Sequence, residues 1–65
     1  MNPDTLDLVA RLCTHVGMIM EDVHDAALGI RTARPPEQML VLAQLEDATD
    51  RAARLISAAR ALAGD

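Results

Sequence analysis

The sequence predicts an all-α protein, a two-helix antiparallel hairpin that dimerises into a four-helix bundle. Two segments of similar length carry apolar residues at helical spacing, and Pro35 and Pro36 separate them. Of the 65 residues 51% are hydrophobic, yet Phe, Tyr and Trp are absent and 12 positions are alanine. A core built from Leu, Ile, Val, Met and Ala is typical of closely packed helices.

Helix 1 is predicted over residues 3–30. Asn2 is a favoured N-cap, Pro3 suits the first helical position because no N–H is needed there, and Asp4 lies near the positive end of the helix dipole. The apolar stripe that follows repeats every seven residues, as one face of a helix requires. It consists of Val9, Val16, Val23 and Ile30, of Leu12, Ile19 and Ala26, and of Leu6, Cys13, Met20 and Ala27.

The turn is predicted over residues 31–35 and helix 2 over residues 36–63. Paired prolines block helix continuation and bias Arg34 away from helical dihedral angles, while Glu37 is well placed near a new helix N-terminus. Gly64 then supplies a stop. The second stripe consists of Val41, Leu42, Leu45, Ala48, Thr49, Ala52, Leu55, Ile56, Ala59, Leu62 and Ala63.

Two acid-before-arginine pairs at i,i+4 spacing are expected on the polar side of helix 2. They join Asp47 to Arg51 and Asp50 to Arg54. Each such pair stabilises a helix by a few tenths of a kcal/mol, about 0.2–0.5. The polar side of helix 2 is therefore explained as a solvated helix surface.

Self-association is expected because a chain of this length buries only about 60% of its unfolded surface. The single cysteine, Cys13, allows no internal disulfide, and one Cys with two His cannot form the usual four-ligand zinc site. The small residues Ala48, Ala52 and Ala59 allow helices to approach closely. The predicted core of the dimer consists of Val9, Leu12, Val16, Ile19, Val23, Leu45, Ala52, Leu55 and Ile56.

The charge balance opposes nucleic-acid and membrane partners. Six arginines, no lysine and 10 acidic residues give a net charge of −4, and no aromatic side chain is present to stack on bases. No apolar run approaches the roughly 20 residues that span a bilayer. We therefore expect a soluble cytoplasmic protein, and arginine without lysine beside abundant alanine favours a bacterial origin.

Catalysis and cofactors are not expected. The sequence contains no glycine-rich phosphate loop, Ser-His-Asp arrangement, Walker sequence or zinc-ligand spacing. Cys13 lies within the apolar stripe, where a free cysteine usually behaves as a small hydrophobe. His15 is two residues away on a helix and points elsewhere, so it is not placed to act as a base for the thiol.

Apolar residues away from the stripes indicate a protein partner instead. The predicted partner-binding residues are Met18, Leu28, Met39 and Leu40. Methionine is favoured on adaptable binding surfaces because its unbranched thioether repacks against different shapes. The leading hypothesis is thus a self-associating interaction module, a regulator or accessory subunit without catalytic activity.

A metal-binding bundle is the main alternative. Glu21 and His24, in the stretch EDVHD, are spaced i,i+3 and resemble the Glu-x-x-His element of di-iron bundle proteins, so they are candidate ligands for iron or zinc. At about 100° per residue, Glu21 points roughly 140° and His24 about 80° from the centre of the apolar stripe. A symmetric dimer that joins two such pairs is the arrangement that would complete the site.

Phosphotransfer is a third hypothesis. His24 followed by Asp25 resembles the phosphoacceptor helix of two-component signalling proteins, and this resemblance implies a phosphorylated His24. The stretch VHDAALGIRT lacks the proline that commonly follows in the kinase box, and it lacks the Lys-Gly of monomeric phosphotransfer domains.

Overall fold

Two long helices lie side by side in a computed structural model that describes residues 2–64. Helix α1 spans Pro3–Leu28 and helix α2 spans Pro35–Gly64, with a 3₁₀ turn over Gly29–Thr32 between them. The all-helical, two-helix architecture predicted from the sequence is confirmed. Neither helix carries a stretch both long and apolar enough to cross a bilayer.

The N-terminus of α1 is capped as the sequence predicts. The Thr5 backbone N–H donates to the Asn2 side-chain oxygen at 2.8 Å, and the Leu6 N–H donates to the Asn2 carbonyl at 3.0 Å. Pro3 occupies the first turn, where its missing N–H costs nothing. Asn2 therefore satisfies two of the first backbone donors of α1.

The connection between the helices begins earlier than predicted, at residue 29 instead of residue 31. Helix α1 ends at Leu28, and the chain continues as a 3₁₀ turn in which the Thr32 hydroxyl donates to the Gly29 carbonyl at 3.2 Å. The Ala33 N–H donates to the Ile30 carbonyl at 3.3 Å. Ala33 is extended with ψ 148°, which breaks the helical path before the prolines.

Helix α2 is capped and fastened to the turn by two side chains. The Arg34 N–H donates to the Glu37 carboxylate at 3.3 Å, which is the reach-back half of a capping box. The Gln38 amide donates to the Ile30 carbonyl at 3.1 Å, and Gln38 is half-buried. This bond holds the start of α2 against the end of the turn and so fixes how the hairpin closes.

The seam, defined as the residues packed between the two helices, is narrow. Ile19 of α1 and Ala48, Ala52 and Ala59 of α2 are the buried residues of the described chain, and Ala52 is 3% exposed. The half-buried seam residues are Val9, Leu12, Val16, Val23, Leu45, Leu55 and Leu62. Small alanines on α2 face larger valine, leucine and isoleucine side chains on α1, so the two helices pack together along one row of each.

The hairpin is one layer thick. Its extents are 49 × 15 × 11 Å, and a single helix with its side chains is about 10–12 Å across. The radius of gyration is 15.1 Å, against about 11 Å for a compact chain of this length. Folded domains normally bury their apolar stripes between two layers, so this hairpin lacks the second layer.

Enlarging the seam should weaken the hairpin. Ala52→Leu forces a larger side chain between the closely spaced helices, and we expect it to lower the free energy of unfolding by about 1–3 kcal/mol. Urea denaturation followed by circular dichroism measures this change. Ala43→Leu is the matched control, since Ala43 is exposed on the same helix and should shift stability by less than about 0.5 kcal/mol. Equal stabilities of the two variants would contradict the alanine seam.

Candidate interaction site

One long face of the hairpin is apolar from end to end. We call it the apolar face, and it consists of Leu6, Cys13, Met20 and Ala27 from α1 and Leu42, Thr49, Ile56 and Ala63 from α2. Seven of these eight residues are exposed and Ala27 is half-buried. The sequence places them in the stripes, but the alanine seam leaves them outside the contact between the helices.

A groove marks one end of the apolar face. Its volume is about 300 Å³, and it opens between the helices near the two chain termini. The lining residues are Val9, Leu12, Cys13, Val16, Leu55, Ile56, Ala59, Arg60 and Ala63. Arg60 is the charged member of this lining and Cys13 contributes an exposed thiol. The remaining lining is hydrocarbon, which favours an apolar occupant.

Polar groups on the apolar face are few and already bonded. The Thr49 hydroxyl donates to the Glu46 carbonyl of its own helix at 2.9 Å. Covering Thr49 therefore leaves no unsatisfied donor, and its methyl group is available for packing. This face can be removed from water without a large polar desolvation cost.

The borders of the apolar face carry little negative charge. They are the residues four positions after each member of the face, which are its neighbours on the helix surface: Ala10, Gly17, His24, Arg31, Glu46, Ala53 and Arg60. Glu46 is the acidic residue among them within the described chain. The other acidic residues of residues 2–64 lie on the remaining sides of the hairpin, so the net charge of −4 is concentrated away from this face.

The opposite long face is charged. Two shallow hollows on it are lined by polar side chains, including His15, Asp22, Gln44, Asp47, Arg51 and Arg54. Asp47 and Arg51 form the expected i,i+4 ion pair at 4.0 Å, with both side chains largely exposed. Exposed pairs of this kind contribute only about 0.2–1 kcal/mol. Water solvates the polar side chains of this face, so the face does not need a partner to cover it.

One predicted ion pair is absent and another was missed. Within residues 2–64, Arg54 is not within 4.0 Å of Asp50, and it instead lines a hollow with His15. Asp7 and Arg11 form the shortest ion pair of the described chain, at 3.0 Å. Their i,i+4 spacing was visible in the sequence and would have predicted it.

The four residues predicted to bind a partner do not form one surface. Leu28, Met39 and Leu40 are 69%, 68% and 67% exposed, and all three lie near the turn end of the hairpin. Met18 lies ten positions before Leu28, about 15 Å along the helix, in a separate hollow on α1 beside Arg11, Thr14 and His15. The turn end is therefore the more concentrated apolar surface.

The residues predicted for the dimer core lie mostly in the seam. Eight of them pack between α1 and α2 of the same chain, where Ile19 and Ala52 are buried and the others half-buried. The ninth, Ile56, is 42% exposed on the apolar face.

Glu21 and His24 both lie in water. The His24 Nδ1 is 3.4 Å from an Asp25 carboxylate oxygen, and the two side chains are 65% and 101% exposed. Within the part of the chain that the structure describes, no group of three or more His, Cys, Asp or Glu side chains is placed to hold a metal ion. A metal site at Glu21 and His24 would thus need ligands from another chain, whereas the imidazole is open to a phosphoryl donor.

Cys13 and His15 face opposite sides of the hairpin. Cys13 lines the apolar groove, and His15 lines a hollow of the charged face with Arg51 and Arg54. The thiol therefore has no imidazole base in its own chain, as the helical spacing predicts.

Comparisons of the chain with protein-family models, with curated proteins and with solved structures gave no match.

Zinc binding tests the metal alternative. Two exposed ligands hold zinc weakly, since protein zinc sites use three or four protein ligands. Calorimetric titration of the micromolar protein with Zn²⁺ should therefore show no stoichiometric binding. One ion bound per two chains, lost in His24→Ala and kept in His15→Ala, would contradict this expectation and support a metal site shared between chains.

Proposed function

We propose that this protein is a non-enzymatic, self-associating interaction module that forms a homodimeric four-helix bundle. The observation that supports this is the uncovered apolar face of a hairpin only 11 Å thick. Helices with apolar stripes become stable when a second layer covers them. A second copy of the hairpin supplies a layer of matching length.

Surface area supports the same proposal. A compact globular protein of 7.0 kDa exposes about 4,000 Å², whereas this hairpin exposes 5188 Å². Two such chains in one compact body would expose about 6,700 Å², so joining them would bury about 3,700 Å² in total. Obligate homodimers bury about 2,000–5,000 Å². The excess surface is therefore of the size that a stable dimer removes.

Stability gives an independent reason for association. The buried core of the single hairpin is one isoleucine and three alanines, and no disulfide is available to a chain with a single cysteine. Chains of this size usually need disulfides, a structural metal ion or a partner chain to supply the missing stabilisation. In our proposal the dimer interface supplies it.

A second protein is the proposed target of the module. The turn-end residues Leu28, Met39 and Leu40 are about two-thirds exposed and lie at the extremity of the hairpin, where face-to-face dimerisation covers them least. Clustered exposed apolar side chains favour protein contacts over solvent. We propose a cytoplasmic regulator or accessory subunit that presents this end to its partner.

Sedimentation equilibrium tests self-association directly. At micromolar concentration we expect a mass of twice 7.0 kDa, because the hairpin buries too little surface to persist alone. The melting temperature should also rise with protein concentration, as it does when folding and dimerisation are coupled. A monomer with a concentration-independent melting temperature would refute the module as proposed.

The turn-end target is tested by affinity capture from the native host. We expect Leu40→Glu to lose a specific partner, since a charge on an apolar contact removes much of its binding energy. Ala43→Glu, on the exposed side of the same helix, should retain the partner. Both variants should keep the wild-type mass. Capture of the same proteins by both would show that the turn end is not the binding surface.

A further inference from the structure

The apolar face alternates large and small side chains in a regular way. Residues 9–16 of α1 line one groove with residues 55–63 of α2, and residues 19–23 line one hollow with residues 44–51, so residues whose numbers sum to about 70 lie level with each other. Steps of seven residues in opposite directions along the antiparallel helices keep the partners level. The four levels are Leu6 with Ala63, Cys13 with Ile56, Met20 with Thr49, and Ala27 with Leu42.

Each level pairs one large residue with one small residue, and the large one changes helix at every step. In α1 the order is large, small, large, small, from Leu6 to Ala27. In α2 the order at the same levels is small, large, small, large, from Ala63 to Leu42. The face is thus a checkerboard of knobs and hollows.

We infer that the apolar face binds the same face of a second copy, with large side chains of each copy packed over small side chains of the other. This inference rests on the proposed self-association and adds which surface makes the contact. It also places the charged face in water on both outer sides of the bundle.

The checkerboard is self-complementary, which is why a second copy is the occupant that fits. An interface with two-fold symmetry presents the same patch twice, so each knob must meet a hollow of the identical patch. If α1 lies over the partner's α2, Leu6 of one copy packs over Ala63 of the other. If α1 lies over the partner's α1, Leu6 packs over Ala27. Large meets small in either arrangement, at every level.

Charge favours the same contact. Each copy carries a net charge of −4, so two copies repel unless their acidic residues stay apart. The apolar face has no charged member, and its borders hold Glu46 together with Arg31, Arg60 and His24. The charged face carries Asp22 and Asp47 together with Arg51 and Arg54, so a contact through it would remove four charged groups from water. Association through the apolar face therefore keeps most of the negative charge in solvent.

Two methionines on α1 provide a matched test. Met20 lies on the apolar face and Met18 outside it, in a hollow beside Arg11 and His15, and they are 54% and 59% exposed. Replacement of either by Glu adds the same charge to the same helix. Glu21 and Asp22 follow Met18 at i+3 and i+4, so any repulsion within the helix falls on Met18→Glu, the control.

We expect Met20→Glu to weaken the dimer at least about 100-fold, because each dimer then buries two unpaired carboxylates, while Met18→Glu changes the dissociation constant less than about threefold. Sedimentation equilibrium measures the constants, and circular dichroism reports the helix content of each variant. If Met20→Glu is both monomeric and unfolded while Met18→Glu is a folded dimer, the inference is supported, since folding is then coupled to this face.

Cys13 gives a second measurement that needs no unstable variant. Its thiol is exposed in the single hairpin and lies on the apolar face, so it should react with a thiol reagent at least tenfold more slowly when wild-type protein is dimeric. In the double variant Cys13→Ser with Met18→Cys, the new thiol lies outside the proposed contact. It should react at the same rate in monomer and dimer.

The outcomes separate the inference from the proposed function. A wild-type monomer refutes the proposed function and the inference with it. If the wild-type protein is a dimer but Cys13 stays fully reactive, the inference is overturned and self-association stands. The same holds if Met18→Glu weakens the dimer more than Met20→Glu does. A protected Cys13 with selective dissociation of Met20→Glu supports both.

Discussion

The close approach of the two helices across the alanine seam is the constraint on which the rest of the structure depends. Ala48, Ala52 and Ala59 line the α2 side of the seam and are among the few buried residues. The seam takes one row of each helix, in which Ile19, Leu45 and Leu55 pack beside the alanines. Leu6, Met20, Leu42 and Ile56 must then lie beside it, on a face that the chain alone does not cover. A wider seam would have enclosed more of them and left less surface for a partner.

Antiparallel packing then decides how the flanks of the two helices combine. The side of α1 that lies next to a given side of α2 is the same along the whole hairpin. Here both apolar flanks fall on one side and both polar flanks on the other, as the contrast between the groove at Cys13 and the hollow at His15 shows. The result is a thin hairpin with the apolar face on one side and the charged face on the other. A hairpin of this shape leaves its apolar face open to a second layer of helices.

The proposed dimer and the proposed target use different parts of this hairpin. The checkerboard of the apolar face is extended and self-complementary, which favours a second copy. The turn end is compact and carries Leu28, Met39 and Leu40 without a matching set of small residues, which favours an unlike partner. Within the described residues, Glu21 and His24 are not grouped with a third side chain that could bind a metal ion.

The sequence by itself determined the helices, their caps and the position of the turn. Local rules nearly suffice there: Asn2 and Pro3 start α1, Pro36 and Glu37 were expected to start α2, which begins one residue earlier at Pro35, and the heptad stripes select the faces that meet. The turn was expected slightly late: residues 29–32 already form a 3₁₀ turn, and the Gln38 side chain of α2 bonds to the Ile30 carbonyl in it, a contact between elements that local rules do not predict.

Only the tertiary structure decided which stripe residues are enclosed and which remain outside. Periodicity places Ile19 and Met20 in the same apolar stripe, yet Ile19 is 6% exposed and Met20 is 54% exposed. The difference arises because antiparallel packing aligns the seam on one row of each helix, and the spacing set by the alanines leaves the neighbouring row outside. The apolar face is a property of two helices in register, so neither stripe alone could reveal it.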